Sequence, residues 1–279
     1  MSTLPADATR LTISSFDLAL EPALDICDLK SLRFVDAYGL VGTVNAVRAA
    51  IAGGEQVPVV PPDRGSMKKH LEAMGFDEFL SDIGQPEIGR AATFESSGVV
   101  VPLRSASDSG GEQAVSQILW DQLRDQVDPQ VLAAIGEGVW EMVANGLEHS
   151  GSDASVMAQV YRKSRQGIPP DHDDKVQVVI GDIGRGIRAS LASSPEHEPT
   201  NDIDAIELAL EYLVTSVHED RGRGQGLSTT LEQVTGLGGK MVIRSGTGKV
   251  TIDGEERLRE EFPDLPGTIV ALSLPLYPG

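Results

Sequence analysis

Apolar residues divide the chain into two regions, each with its own order of strand-like and helix-like patterns. In the first region, strand-like runs at residues 23–29 and 57–60 alternate with stretches of helical spacing at residues 39–52 and 66–74. Such alternation predicts an α/β unit in which helices pack on a sheet. We therefore expect the first region to fold as one unit of this kind.

The second region contains the strongest helical pattern of the chain, at residues 131–147, where apolar side chains recur on one side of the helix. Shorter helices are predicted at residues 203–214 and 227–234. Strands are predicted at residues 155–162, 175–181, 240–244, 249–252 and 268–274. The glutamate-rich residues 255–261 are expected to form a solvated loop between late strands. Together these elements predict a two-layer α/β sandwich, with a mixed sheet and helices on one face.

The apolar pattern thins between the two regions. Residues 83–111 contain glycine, proline and small polar residues around a single apolar segment at residues 98–103. We interpret them as a connection whose one strand joins a neighbouring unit. The predicted organisation is a first domain at residues 1–82, a connection at 83–111 and a second domain at 112–279.

Charge and composition exclude several classes of function. The 279 residues carry a formal net charge of −19 and only 4% are aromatic, so the chain would repel phosphate backbones and lacks a stacking surface for single-stranded nucleic acid. The single cysteine, Cys27, allows neither an intrachain disulfide nor a cysteine-based metal centre. Residues 1–10 lack the apolar core of a signal peptide, and no apolar run has the length of a membrane span. We expect a cytoplasmic protein without direct contact to nucleic acid or membrane.

Three polar motifs in the second region carry the candidate chemistry. The first lies on the strong helix, where Glu141, Asn145 and His149 are four residues apart and share one stripe of the helix surface. A carboxylate, an amide oxygen and an imidazole on one stripe could serve as base, Mg²⁺ ligand and phosphate contact. A solvated helix face would show the same pattern, so this motif alone is not specific.

The second motif follows an apolar strand. Asp182 ends that strand, and the turn after it contains Gly184, Gly186 and Ile187, where glycine lets the backbone approach a flat ligand. The carboxylate could accept the exocyclic amine of adenine, or it could only close an Asx turn. The order of glycines differs from the G-x-G-x-x-G dinucleotide motif.

The third motif is a glycine-rich segment directly before a short predicted helix. It comprises Arg221, Gly222, Arg223, Gly224, Gln225, Gly226 and Leu227. Backbone N–H groups at the start of a helix bind phosphates, and the two arginines add positive charge. A flexible surface loop could have the same composition. The phosphate-loop motif G-x-x-x-x-G-K-[S/T] is absent from the sequence, which excludes that class of ATPase.

In this order, the three motifs resemble those of the GHKL ATPase superfamily, which includes gyrase, histidine kinases and bacterial anti-sigma serine kinases. The resemblance covers residues 112–279 and includes a closing Gly-Thr pair, Gly267 and Thr268, before the last strand. Gly146 departs from the family pattern, which usually has a small alanine there, but this change removes no ligand. The resemblance implies the Bergerat fold of this superfamily, with ATP and Mg²⁺ as cofactors.

The resemblance also implies a role for each residue. Asn145 would ligate Mg²⁺, and Asp182 would hydrogen-bond the adenine amine with support from Thr268. Glu141 would act as the general base or would position the attacking water. A mobile lid between residues 188 and 221 would close over the nucleotide. The remaining residues around the nucleotide would be His149, Gly184, Gly186, Ile187, Arg221, Gly222, Arg223, Gly224, Gln225, Gly226 and Leu227.

The first region resembles the STAS domain of anti-sigma-factor antagonists. The resemblance rests on residues 24–29, the segment at residues 34–40, the glycine pair at 53–54 and residues 71–76. Phosphorylated members carry D-S-S-G or D-T-S-G in the second of these segments, and its serine accepts phosphate from an anti-sigma kinase. Tyr38 occupies that serine position here, which excludes serine phosphorylation at this site. We expect a packing role for Tyr38.

Two classes of function follow from these resemblances. The first is a regulatory ATP-binding protein, whose enzymatic form would be a protein serine/threonine kinase of anti-sigma type acting on a separate STAS-type partner. The second is a nucleotide-gated scaffold or interaction protein with little turnover. A histidine kinase is disfavoured because no H-E-x-x-x-P helix precedes the ATPase region. Since several family members dimerise, a homodimer is one expected assembly.

Overall fold

The computed structural model describes residues 9–20, 25–88, 98–106, 111–147, 153–163, 173–192, 198–211 and 226–279. These residues form a mixed α/β structure, which confirms the predicted class. The helices are α1 (Phe16–Ala19), α2 (Ala37–Ala52), α3 (Gly65–Ala73), α4 (Phe76–Asp82), α5 (Gly111–Leu123), α6 (Pro129–Asn145), α7 (Gly186–Leu191), α8 (Asp202–Ala209) and α9 (Gly226–Gly236). The strands are β1 (Arg10–Leu11), β2 (Cys27–Asp28), β3 (Phe34–Val35), β4 (Val59–Val60), β5 (Val99–Ala106), β6 (Ala154–Tyr161), β7 (Lys175–Asp182), β8 (Lys240–Asp253) and β9 (Glu256–Pro275).

A five-stranded antiparallel sheet, in the order β5-β6-β7-β9-β8, is the main sheet of the described residues. The expectation of a mixed sheet is therefore wrong for the second region. Strand β5 comes from the predicted connection and pairs with β6 at one edge of this sheet. The short strands of the first region form two separate parallel pairs, β1 with β3 and β2 with β4.

The last two strands form a long hairpin that the sequence did not predict. Residues 255–261 were expected to be a solvated loop, but β9 begins at Glu256 and pairs with β8 through partners such as Lys249 and Glu260. The hairpin is interrupted by register shifts between Ser245 and Gly248. Charged side chains also suit a strand that is largely exposed, as residues 256–261 are, and the loop interpretation overlooked this case.

The alternation of side chains along the strands gives the sheet two apolar faces. On β7, Val176, Val178 and Ile180 join the core beneath α5, α6 and α9, whereas Val179 joins a second core on the opposite face. Strands β6, β8 and β9 divide their apolar side chains in the same way. A sheet that is apolar on both faces must be covered on both faces to keep these side chains from water.

Helix α2 covers the second face. It lies against β6, β7 and β9, and its apolar residues share one buried cluster with Val179 and Ala271 of the sheet. Asp36 caps the start of this helix by accepting a hydrogen bond from the N–H of Gly39 at 2.8 Å. The described helices of the second region pack on one face of the sheet, as expected, and α2 of the first region covers the other face, so the two regions share a core.

A buried ion cluster joins the first region to the β8–β9 hairpin. Asp17 of α1 is 1% exposed and accepts from Arg244 Nε at 3.0 Å, from Lys249 Nζ at 2.7 Å and from the hydroxyl of Tyr38 at 2.9 Å. Lys249 also donates to the carbonyl oxygen of Ile13 at 2.7 Å. The Asp17 carboxylate of the first region thus pairs with two buried cations of the second region, Arg244 and Lys249.

Tyr38 is 0% exposed and its ring meets Phe16 edge-on, with 6.0 Å between ring centroids. Burial and, after it, the neighbouring Asp17 raise the pKa of the Tyr38 hydroxyl well above its ordinary value, so the hydroxyl stays protonated and donates. These contacts agree with the packing role that was expected for Tyr38.

Among the helices of the described residues, none combines the length and the apolar composition needed to cross a lipid bilayer.

We expect Asp17→Asn to lower the free energy of unfolding by about 3–5 kcal/mol, because the substitution removes the carboxylate that pairs with the buried Arg244 and Lys249. Denaturant unfolding of the full chain measures this effect. Asp125→Asn is the matched control, since the Asp125 side chain is 87% exposed beside Arg124, and it should cost less than about 1 kcal/mol. Equal effects of the two substitutions would contradict a stabilising role for the cluster.

Candidate functional site

Asp182 lies at the end of β7 with its side chain on the face of the sheet that carries α6. It follows Ile180 by two residues, so strand alternation puts both side chains on that face. The carboxylate accepts from the N–H of Gly184 at 2.8 Å and from the N–H of Thr268 on the neighbouring strand. Burial raises the pKa of Asp182 to about 6, although both hydrogen bonds act to lower it.

Ser245 of β8 joins the turn after Asp182 to strand β9. Its hydroxyl accepts from the N–H of Ile187 at 2.9 Å and lies 3.1 Å from the carbonyl oxygen of Gly267 and 3.2 Å from the hydroxyl of Thr268. The sequence analysis did not find Ser245. The signal for it is the strand register, since Ser245 lies directly opposite Thr268.

Two glycines of this group have backbone conformations that side chains disfavour. Gly186 has a φ of 77° and Gly267 a φ of 86°. A Cβ atom on Gly267 would lie 2.0 Å from the carbonyl oxygen of Asp182. Glycine at position 267 therefore allows β9 to approach the end of β7, which brings Thr268 within reach of the Asp182 carboxylate.

A second group of predicted residues lies where α6 ends and α9 begins. Asn145 Nδ2 donates to Glu141 Oε1 at 3.3 Å, so within the described part of the chain the amide oxygen of Asn145 remains available as an acceptor or metal ligand. The Glu141 carboxyl group packs directly against Gly226, because a Cβ atom there would lie 1.8 Å from the Glu141 carboxyl carbon. The structure thus brings the first motif and the third motif together.

Close helix packing supports this second group. A Cβ atom on Gly138 of α6 would lie 2.9 Å from Leu272 Cδ1 and 3.0 Å from Thr230 Cγ2. Helix α6 therefore approaches α9 and β9 closely, and it also contacts β7. The two groups of site residues consequently flank the same face of the sheet.

Several predicted site residues lie outside the described residues. They are His149, Arg221, Gly222, Arg223, Gly224 and Gln225. The same holds for residues 193–197 and 212–221 of the predicted lid. Leu227 is described and packs partly buried against the core beneath α6.

Asn45, which the sequence analysis did not consider, reaches the site from the opposite face. Its Nδ2 donates to the backbone carbonyl oxygen of Asp182 at 3.1 Å, and the residue is 0% exposed. The signal in the sequence is a single amide among apolar neighbours of α2, such as Val44 and Ala46. Such a polar residue in a core needs a partner, and here the partner is the turn that carries Asp182.

The chemistry of these groups fits a magnesium nucleotide. Among the described residues, no group of three or more His, Cys, Asp or Glu side chains could hold a metal ion by itself. An ion carried by phosphates needs fewer protein ligands, and the amide oxygen of Asn145 is a hard ligand of the kind Mg²⁺ accepts. Backbone N–H groups at the start of a helix can bind phosphate oxygens, and α9 begins at Gly226, beside Glu141.

Comparison with models of known protein families and with curated protein sequences gave no match to this chain.

We expect Gly267→Ala to destabilise the protein much more than Gly254→Ala. Both positions have a positive φ, 86° and 60°, but an added Cβ meets a backbone oxygen at 2.0 Å only at Gly267, while nothing lies within 4 Å at Gly254. The backbone strain alone costs about 1–2 kcal/mol, and the clash adds about 1–3 kcal/mol. Denaturant unfolding compares the variants, and equal losses would show that the close approach of β9 to Asp182 is not needed.

We also expect Asp182→Asn to become increasingly more stable than the wild type as the pH rises. The pKa of Asp182 is raised from 3.8 to about 6 in the folded state, so folding favours the protonated carboxyl, and stability is lost as the pH rises from about 4 to 6. The amide does not titrate. The difference in unfolding free energy between variant and wild type should grow by up to about 3 kcal/mol over this range. If this difference in unfolding free energy is the same at pH 5 and pH 8, the raised pKa of Asp182 is contradicted.

Proposed function

We propose that this chain is a regulatory protein that binds ATP with Mg²⁺ between the end of β7, the end of α6 and the start of α9. The observation that carries the proposal is Asp182, a buried carboxylate at a strand end. Keeping an ionised group there costs stability at neutral pH, because burial raises its pKa to about 6. Costly polar groups of this kind concentrate at binding sites, where a ligand can use them.

The adenine base is the proposed ligand of Asp182. A carboxylate whose oxygens are oriented by the N–H groups of Gly184 and Thr268 can accept the exocyclic amine of the base. Ser245 and Gly267 hold the turn and strand β9 in place beside it. This arrangement supports the role that the resemblance to GHKL ATPases implies for Asp182.

The phosphates are proposed to lie at the start of α9. Asn145 would hold Mg²⁺, which would offset the negative charge of the phosphates. Glu141 lies beside Gly226 and can position a water or a hydroxyl group, or accept its proton. The protein would then hydrolyse ATP or transfer its phosphate to a serine or threonine of a separate protein.

A separate STAS-type protein is the proposed phosphate acceptor. The chain's own position that corresponds to the acceptor serine is Tyr38, and this side chain is 0% exposed and bonded to Asp17. Phosphorylation of Tyr38 would require unfolding of the shared core. This burial therefore favours an acceptor on another protein.

Calorimetric titration of Mg-ATP into the wild type and into Asp182→Asn tests the proposal. We expect the wild type to bind and the variant to lose about tenfold or more in affinity, because a charge-assisted hydrogen bond to the base is weakened. Asp125→Asn should bind as the wild type does. No binding by a folded wild type would refute the proposed function.

Turnover is tested separately with Glu141→Gln, which keeps the size of the side chain beside Gly226. We expect ATP binding within about threefold of the wild type and a loss of about 100-fold or more in hydrolysis or phosphate transfer, the usual range for a general base. Unchanged turnover would remove Glu141 as the base. A wild type that binds ATP without measurable turnover would instead favour the nucleotide-gated scaffold.

A further inference from the structure

The first region contributes a side chain to the site through the back of the sheet. Asn45 lies on α2, on the face opposite α6, and yet its Nδ2 donates to the carbonyl oxygen of Asp182 at 3.1 Å. This carbonyl group belongs to the residue at which β7 ends and the turn begins. The hydrogen bond therefore acts on the peptide unit that sets the direction of the turn.

The packing around this bond leaves the Asn45 amide little freedom. A Cβ atom on Gly181 would lie 2.5 Å from Asn45 Nδ2 and 2.9 Å from Val41 Cγ1. Glycine at position 181 thus allows α2 to approach β7 closely enough for the bond. On the other side, Gly267 approaches the same carbonyl oxygen of Asp182. The peptide unit after Asp182 is held between α2 and β9.

Burying the side-chain amide of Asn45 lowers the stability of the folded protein, and apolar packing does not require an amide at this position. Asn45 is 0% exposed, and its Oδ1 has no hydrogen-bond partner among the described residues. A buried acceptor without a partner is destabilising, and an apolar side chain of similar size would avoid this cost. What asparagine contributes at this position is therefore its Nδ2 group, which donates to the carbonyl oxygen of Asp182.

We propose that Asn45 is a positioning residue for base recognition: by fixing the Asp182 peptide unit from the opposite face of the sheet, it aims the Asp182 carboxylate at the exocyclic amine of adenine. This inference rests on the proposed function, in which Asp182 reads the base. It makes the first region part of the nucleotide site. Loss of the Asn45 donor should reduce the preference for a base that carries the exocyclic amine. This effect differs from a general loss of nucleotide binding, which would weaken all bases equally.

Inosine triphosphate provides the probe, because it differs from ATP at the position of the exocyclic amine. We would measure the affinities of Mg-ATP and Mg-ITP for the wild type and for Asn45→Leu, together with the melting temperature of each protein. We expect the wild type to prefer ATP. Asn45→Leu should lower the ratio of ATP to ITP affinity by about fivefold or more. Its melting temperature should stay close to that of the wild type, because the unpaired Oδ1 is removed while the Asp182 carbonyl oxygen loses its donor.

Thr43→Val is the matched control. Thr43 is a buried polar residue of the same helix, but its hydroxyl donates to the carbonyl oxygen of Gly39 within α2 at 2.7 Å. The control should keep the wild-type ratio of ATP to ITP affinity. If Asn45→Leu does not fold, Asn45→Ala removes the donor with a smaller side chain and serves in its place.

The outcomes separate the inference from the proposed function. A wild type that binds neither nucleotide, or that binds ATP and ITP equally, refutes the reading of the base by Asp182. A wild type that prefers ATP, with an Asn45 variant that keeps the same ratio, refutes the positioning role alone. Equal weakening of ATP and ITP in the variant also refutes it, because that result indicates only a structural role for Asn45.

Discussion

The structure depends on the packing of α2 against the second apolar face of the central sheet. Strand alternation places Val179 and Ala271 on that face, and no other described helix covers it as α2 does. Without α2 these side chains would be exposed to water, so the sheet of the second region and the helix of the first must fold together. The ion cluster reinforces this dependence, since Asp17 provides the counter-charge for Arg244 on β8.

Because the core is shared, residues of the first region also help to hold the candidate site in place. Asp182 is held at its side chain by Gly184 and Thr268, and at its backbone carbonyl by Asn45. A buried carboxylate with a raised pKa is unfavourable for stability at neutral pH, and the surrounding contacts maintain it there. Stability is therefore lower at the place where a ligand can compensate, as is common at binding sites. The same contacts connect the proposed nucleotide site to α2.

The sequence was most informative where local pattern decides the structure. The helix spacing before Glu141 and the apolar run before Asp182 predicted α6 and β7 within two residues. Long-range pairing could not be predicted in the same way. The β8–β9 hairpin, the antiparallel order and the place of Ser245 depend on register between distant strands, and Asn45 depends on which face of the sheet α2 covers. For the same reason, the contact of Glu141 with Gly226 could be expected only from a resemblance and not from spacing.

Hydrogen–deuterium exchange of the full chain, with and without saturating Mg-ATP, tests most directly whether the two regions form one nucleotide-responsive unit. The account predicts slower exchange at the end of β7 and the start of α9, and also in α2 around Asn45, although α2 lies behind the sheet. Slower exchange confined to the second region would contradict the shared unit. An unchanged exchange pattern throughout the chain would contradict nucleotide binding itself.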